Sequence, residues 1–134
     1  MVFTSAPFTY RIDRERAVVF LEYGEQQPTA KEWCAVMDDL IVDRHFRPGM
    51  PLVSDRRRLA EPPTTSTLQE MARYVGVRRD AFGSTRWAIV TATPAEYGMV
   101  RMGSVLFEGA GSRIELQPFT EMETAIAWAT AKRQ

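Results

Sequence analysis

Arg86-Trp-Ala-Ile-Val-Thr91 runs through Ala92-Thr-Pro-Ala-Glu96 into Tyr97-Gly-Met-Val-Arg-Met-Gly-Ser-Val-Leu-Phe107. The first segment is nearly all apolar in its middle, which predicts a strand covered on both faces and hence central in its sheet. Thr93 stands three residues ahead of Glu96. This is the capping-box signature, in which the hydroxyl accepts the backbone N–H of the Glu while the Glu side chain reaches back to the N–H of the cap residue. Pro94 follows at the first helical position, where its missing N–H removes nothing. A buried strand leading directly into a capped helix is half of a βαβ unit.

Three further stretches carry the same signature: Thr29-Ala-Lys-Glu32, Ser66-Thr-Leu-Gln69 and Thr120-Glu-Met-Glu123. They predict helix starts at Thr29, Ser66 and Thr120, beside the one at Thr93. The first helix places Trp33, Val36, Met37, Leu40 and Ile41 on one apolar stripe. The second carries Leu68, Met71, Ala72 and Val75 and ends near Gly76, where glycine tolerates a left-handed exit. The third has Met99, Met102, Gly103, Leu106, Phe107 and Ala110 on its stripe and ends at Gly109-Ala-Gly111, and the fourth buries Met122, Ala125, Ile126 and Ala129. Between and before these helices lie strands at Thr9–Ile12, Ala17–Tyr23, Pro51–Asp55 and Arg113–Gln117. The tight Asp13-Arg-Glu-Arg16 connection makes the first two a hairpin at the sheet edge. The expectation is an α/β fold: a mixed, mostly parallel five-stranded sheet with four helices, only the first strand antiparallel, as one domain over residues 1–134.

Composition excludes several function classes. With 17 Lys+Arg against 17 Asp+Glu the formal charge is zero, whereas nucleic-acid binders carry excess positive charge to displace counterions from phosphates. Arg78, Arg79 and Arg86 are expected at the opposite rim of the sheet from Arg56–Arg58, so the arginines form two small patches and no basic face. Met1-Val-Phe-Thr-Ser-Ala-Pro7 has neither the basic region nor the apolar core of a signal peptide, and no run reaches the ~18 apolar residues of a membrane span. Cys34 is the only cysteine, which suits a reducing cytoplasm. His45 is the only histidine and follows Cys34 by eleven residues, so the two offer neither a catalytic pair nor a metal-ligand spacing. No glycine-rich phosphate loop or nucleophile elbow is present. The reading assigns no catalytic residue, metal or cofactor, and no nucleic-acid or membrane partner.

The order of elements, a hairpin, three helix-strand units and a terminal helix, resembles the STAS domains, the superfamily of the bacterial anti-sigma-factor antagonists. More narrowly it resembles the STAS-like, SpoIIAA-like proteins. The carriers are the Arg47-Pro-Gly-Met50 turn before a strand ending in Asp55, the Val90-Thr-Ala92 strand end with the Tyr97-Gly-Met-Val-Arg-Met102 helix, and the terminal Glu123-Thr-Ala-Ile-Ala-Trp128. In the antagonists a phosphorylatable Ser opens the second helix within an Asp-Ser-Ser-Gly type of motif. Here Pro63-Thr-Thr-Ser-Thr-Leu68 keeps the hydroxyls and lacks the Asp and Gly. The resemblance implies a non-enzymatic bacterial regulatory or protein-interaction domain, in a group whose narrower members are mostly of unassigned function.

Two sets of residues are candidates for function. Ligands bind parallel α/β sheets at the carboxyl ends of the strands, where helix N-termini converge. That rim gathers Asp55, Arg56, Ser66 and Thr67 as a possible regulatory or anion-binding site, with helix capping worth about 1 kcal/mol as the other role of the hydroxyls. The second set is Tyr97, Met99, Met102, Gly103, Leu106 and Phe107, more apolar surface than one sheet face needs. It serves a homodimer contact, a small-molecule or lipid-like ligand, or ordinary core, since Met is a common gap-filler, and Gly98 and Gly103 imply close backbone approach to the sheet or to a second subunit.

Overall fold

The computed structural model of the protein describes residues 8–132. Met1–Pro7, Arg133 and Gln134 lie outside the described residues. Ten elements follow in order: β1 (Phe8–Asp13), β2 (Val18–Tyr23), α1 (Ala30–Ile41), β3 (Leu52–Asp55), α2 (Thr65–Val77), α3 (Arg79–Phe82), β4 (Thr85–Val90), α4 (Pro94–Gly109), β5 (Ile114–Phe119) and α5 (Met122–Thr130). The strands form one sheet in the order β1-β2-β3-β4-β5. β1 pairs antiparallel with β2, and every other pairing is parallel, as expected from the short hairpin connection.

Because strand order advances steadily in one direction, crossovers of one hand must all pass over the same face of the sheet. α1, α2 and α4 accordingly share a face, where Trp33, Met37, Leu68, Met71 and Phe107 pack on Val19, Leu21, Leu52 and Trp87. α5 covers the other face, placing Ala125 and Ala129 on Val18, Phe20, Val53, Ala88 and Val90. β4 lies between β3 and β5, with Trp87 turned to the three-helix layer and Ala88 to α5. Its unbroken apolar middle therefore meets a covered surface on both sides.

The helix starts divide into two kinds. At Thr29 the capping box is complete: Glu32 N–H donates to Thr29 Oγ1 at 3.1 Å and Thr29 N–H donates to Glu32 Oε1 at 2.9 Å. At Thr93 only the first half forms, Glu96 N–H to Thr93 Oγ1 at 3.1 Å. The cap of α2 is Thr64 and not Ser66. Thr64 is extended (φ −68°, ψ 158°), its Oγ1 accepts the Thr67 N–H at 3.1 Å, and Thr67 Oγ1 closes the same turn at 3.0 Å. With four hydroxyl residues in a row, the one held extended takes the cap. Nor does Thr120 cap α5. β5 continues past Gln117 to pair Phe119 with Val90, so the chain bends at Thr120 and the helix begins at Met122 without a side-chain cap.

Two further differences lie between α2 and β4. The chain forms an unexpected fifth helix, the single turn α3, which buries Phe82 under the sheet. Gly76 stays helical, and the left-handed exit falls at Gly83, φ 72°. Gly76 serves packing: a Cβ there would run into the Ala110 carbonyl and stand 2.9 Å from Ala110 Cβ, so its absence lets α2 meet the end of α4.

Candidate functional site

The carboxyl ends of the parallel strands are organised around a buried ion pair. Arg56 follows β3 directly, and its N–H donates to Val90 O at 2.9 Å, extending the β3–β4 ladder and fixing the residue at the strand ends. Its side chain turns inward, only 6 % exposed, and Nε donates to Glu96 Oε1 at 2.5 Å, with the Glu96 side chain 2 % exposed. Arg56 Nη2 donates to Gln27 Oε1 at 2.9 Å, and the guanidinium lies over the Tyr23 ring, 4.6 Å from its centroid. Tyr23 ends β2, Gln27 sits in the loop entering α1, and Glu96 occupies the first turn of α4. The N-terminal end of the α4 dipole favours the Glu96 carboxylate as well. Buried charges need a partner of this kind, since desolvation alone disfavours both.

Three polar atoms at or near this cluster remain without a protein partner: Glu96 Oε2, Gln27 Nε2 and Thr91 Oγ1. Glu96 also lines a half-open cavity of about 50 Å³ between the sheet and α4. Its walls are largely apolar, with aliphatic side chains such as Leu68, Ile89 and Leu116 beside the aromatic ones. Trp33 and Trp87 stack with centroids 6.3 Å apart, and Phe107 meets Trp87 edge-on at 6.1 Å. Both indole N–H groups are satisfied from the sheet, Trp87 donating to Ser54 Oγ at 2.8 Å and Trp33 to the Tyr23 hydroxyl at 3.1 Å. The wall thus presents carbon to the cavity and leaves its polar character to Arg56 and Glu96.

The proposed anion rim is charge-compensated in this arrangement. Asp55 accepts from Arg57 at 2.9 and 2.8 Å, Arg58 lies 3.8 Å from Glu25, and Arg56 is directed to Glu96 and Gln27. Hydrogen bonding from Arg57 holds the Asp55 carboxyl below its usual range. Ser66 is exposed in the first turn of α2, and Thr67 is half-buried beside the Thr64 cap.

The apolar set on α4 separates onto two faces. Gly103 and Phe107 are buried, while Met99 and Leu106 are half-buried against the core. Gly103 explains itself within the chain: a Cβ there would meet Leu68 Cδ1 at 3.4 Å and Leu116 Cδ2 at 3.6 Å. Tyr97, Met102 and Val105 face outward, 37, 44 and 70 % exposed, and Gly98 has open space beside it.

Sequence reading took Glu96 only as a capping partner and missed its pairing with Arg56. A signal existed. Glu96, Val100, Gly103 and Phe107 follow one another at helical spacing and are the buried residues of α4, so a carboxylate heads the inward stripe. Elsewhere, His45 sits in a turn, its N–H donating to Asp43 Oδ1 at 2.8 Å, and burial pushes the Cys34 thiol above its ordinary pKa. Among the described residues no cluster of three or more His, Cys, Asp or Glu side chains could hold a metal, and no helix is long and apolar enough to cross a membrane.

No protein-family model matches the chain, and no curated protein matches it. Among solved structures, it is similar to an uncharacterised protein from the DUF3478 family with a SpoIIAA-like fold, from Shewanella loihica PV-4. The identity is 12 %, the match covers 96 % of this chain and 98 % of the other, and the TM-score is 0.64. Such a likeness speaks of architecture alone. The chain has a SpoIIAA-like fold.

Proposed function

We propose that this is a non-enzymatic, cytoplasmic regulatory domain that works by protein interaction, pairing with a second copy of itself through the outer face of α4. The observation that carries the reading is the outward stripe Gly98, Met102, Val105, Gly109, in which Met102 is 44 % and Val105 70 % exposed. Two apolar residues one turn apart, bounded by glycines with open space beside them, form a flat apolar strip on which a second helix can pack closely. Tyr97 extends the strip toward the helix start, and the zero net charge adds no strong repulsion between copies.

Light scattering on the purified chain at micromolar concentration tests this. The expected result is twice the monomer mass, falling to the monomer mass in a Met102→Glu/Val105→Glu variant whose circular dichroism is unchanged. Monomer mass for the parent chain across the whole concentration range would overturn the reading. A second reading, small-ligand binding beneath the same helix, is favoured by a separate observation, the unpartnered carboxylate oxygen of Glu96, a residue that lines the cavity.

A further inference from the structure

We infer that the cavity beneath α4 binds a small neutral molecule carrying a hydroxyl or N–H donor on an apolar, preferably flat, body. Glu96 supplies the polar recognition. One carboxylate oxygen is taken by Arg56, while Oε2 is buried and has no partner in the protein, on a side chain 2 % exposed that lines the cavity. Buried charged acceptors are nearly always hydrogen-bonded, so an unmatched one marks a place where a donor belongs.

The charge of the ligand follows from the pair. Arg56 and Glu96 neutralise each other, so a carboxylate entering the cavity would meet the Glu96 charge, and an ammonium would meet Arg56. A neutral donor meets neither penalty. The apolar body follows from the walls, where Trp33, Trp87 and Phe107 offer ring faces and edges and have no unsatisfied indole N–H to compete for the ligand.

Size is set by the space and by what can move. The cavity of about 50 Å³ exceeds the ~10–15 Å³ that admits one water and falls below the ~150 Å³ that encloses a benzene ring. It therefore holds a few heavy atoms as it stands, and a donor reaches the buried Oε2 only when the side chains around it shift. A ring enters through the half-open side by displacing Met71 and Met99, unbranched side chains on the wall that change rotamer readily.

Phenol, anisole and benzoate separate these contributions, since they share a ring and differ in donor and charge. Titrated into the full chain and followed by the indole N–H resonances of Trp33 and Trp87, phenol should bind saturably and about tenfold or more tighter than anisole or benzoate. Glu96→Gln should remove the preference for phenol over anisole. Gly103→Ala adds a methyl to the cavity wall without touching the ion pair and should weaken phenol, which keeps the test decisive if Glu96→Gln fails to fold. No saturable shift with any probe, equal affinity for phenol and anisole, or unchanged phenol binding in Gly103→Ala would overturn the proposal. The outer face of α4 takes no part in this measurement, so a monomeric chain that binds phenol upholds the site and a dimeric chain that does not refutes it.

Discussion

Replacing Glu96 by Gln tests whether the Arg56–Glu96 pair organises the strand ends. The substitution keeps the cap of α4, because Thr93 Oγ1 accepts from the backbone N–H of residue 96, and it changes little in volume. What it removes is the charge opposite Arg56, whose side chain is 6 % exposed. Breaking a buried pair by neutralising one partner costs about 3–5 kcal/mol, since the other is left uncompensated. Arg56 would keep its 2.9 Å bond to Gln27 and its place over Tyr23, which argues for the lower end, about 3 kcal/mol. At this chain length that corresponds to a fall in Tm of roughly 10 °C. Arg56→Met should cost a similar amount, by leaving the Glu96 carboxylate buried without its partner charge. The double variant Arg56→Met/Glu96→Leu should recover to within about 1 kcal/mol of the parent, because two apolar residues carry no desolvation penalty. Urea denaturation of these proteins, with Glu96→Leu as the matching single variant, closes the cycle. Single variants within about 1 kcal/mol of the parent, or additive losses in the double, would show that the pair does not carry the energy assigned to it.

Two glycines predict opposite outcomes for one substitution. Gly76→Ala drives a Cβ into the Ala110 backbone and should destabilise by about 1–3 kcal/mol, whereas Gly98→Ala fills open space within a helix and should stabilise the single chain by about 0.5–1 kcal/mol, both read from denaturation midpoints at concentrations where the chain is monomeric. Alkaline pH should weaken the fold through two phenols. Burial, and then the hydrogen bond to Asp43 at 2.7 Å, pushes Tyr10 up to about 12, and burial with the Asp38 bond at 2.5 Å raises Tyr74 further. Both hold their protons in the fold beyond the ~10 of the unfolded chain, so their contribution is complete below about pH 10 and is lost as pH rises through the folded values. Stability measured from about pH 8 to about pH 11 should decline, and Tyr10→Phe/Tyr74→Phe should flatten that decline. An unchanged slope would refute the assignment.

How much of this was legible beforehand depends on the range of the interaction concerned. The Thr29–Glu32 box closes within three residues, the hairpin turn spans four, and the apolar run of β4 records its two covered faces along its own length. From such local patterns came the strand and helix order, the parallel sheet and its likeness to the SpoIIAA-like fold. Where several local solutions compete, the chain alone is ambiguous. Thr64 through Thr67 can each cap a helix, and the extended backbone at Thr64 gives it the cap. At Thr120 the pairing of Phe119 with Val90, made across the sheet, takes precedence over the capping motif. The ion pair is the extreme case. Arg56 and Glu96 are separated by 40 residues, and only the β3–α2–β4 crossover brings them together. A loop arginine and a capping glutamate look soluble in isolation; enclosed by three helices and a sheet, each becomes the charge the other requires, and one oxygen of a carboxylate beside an apolar cavity is left without a partner because the packing supplies no second donor.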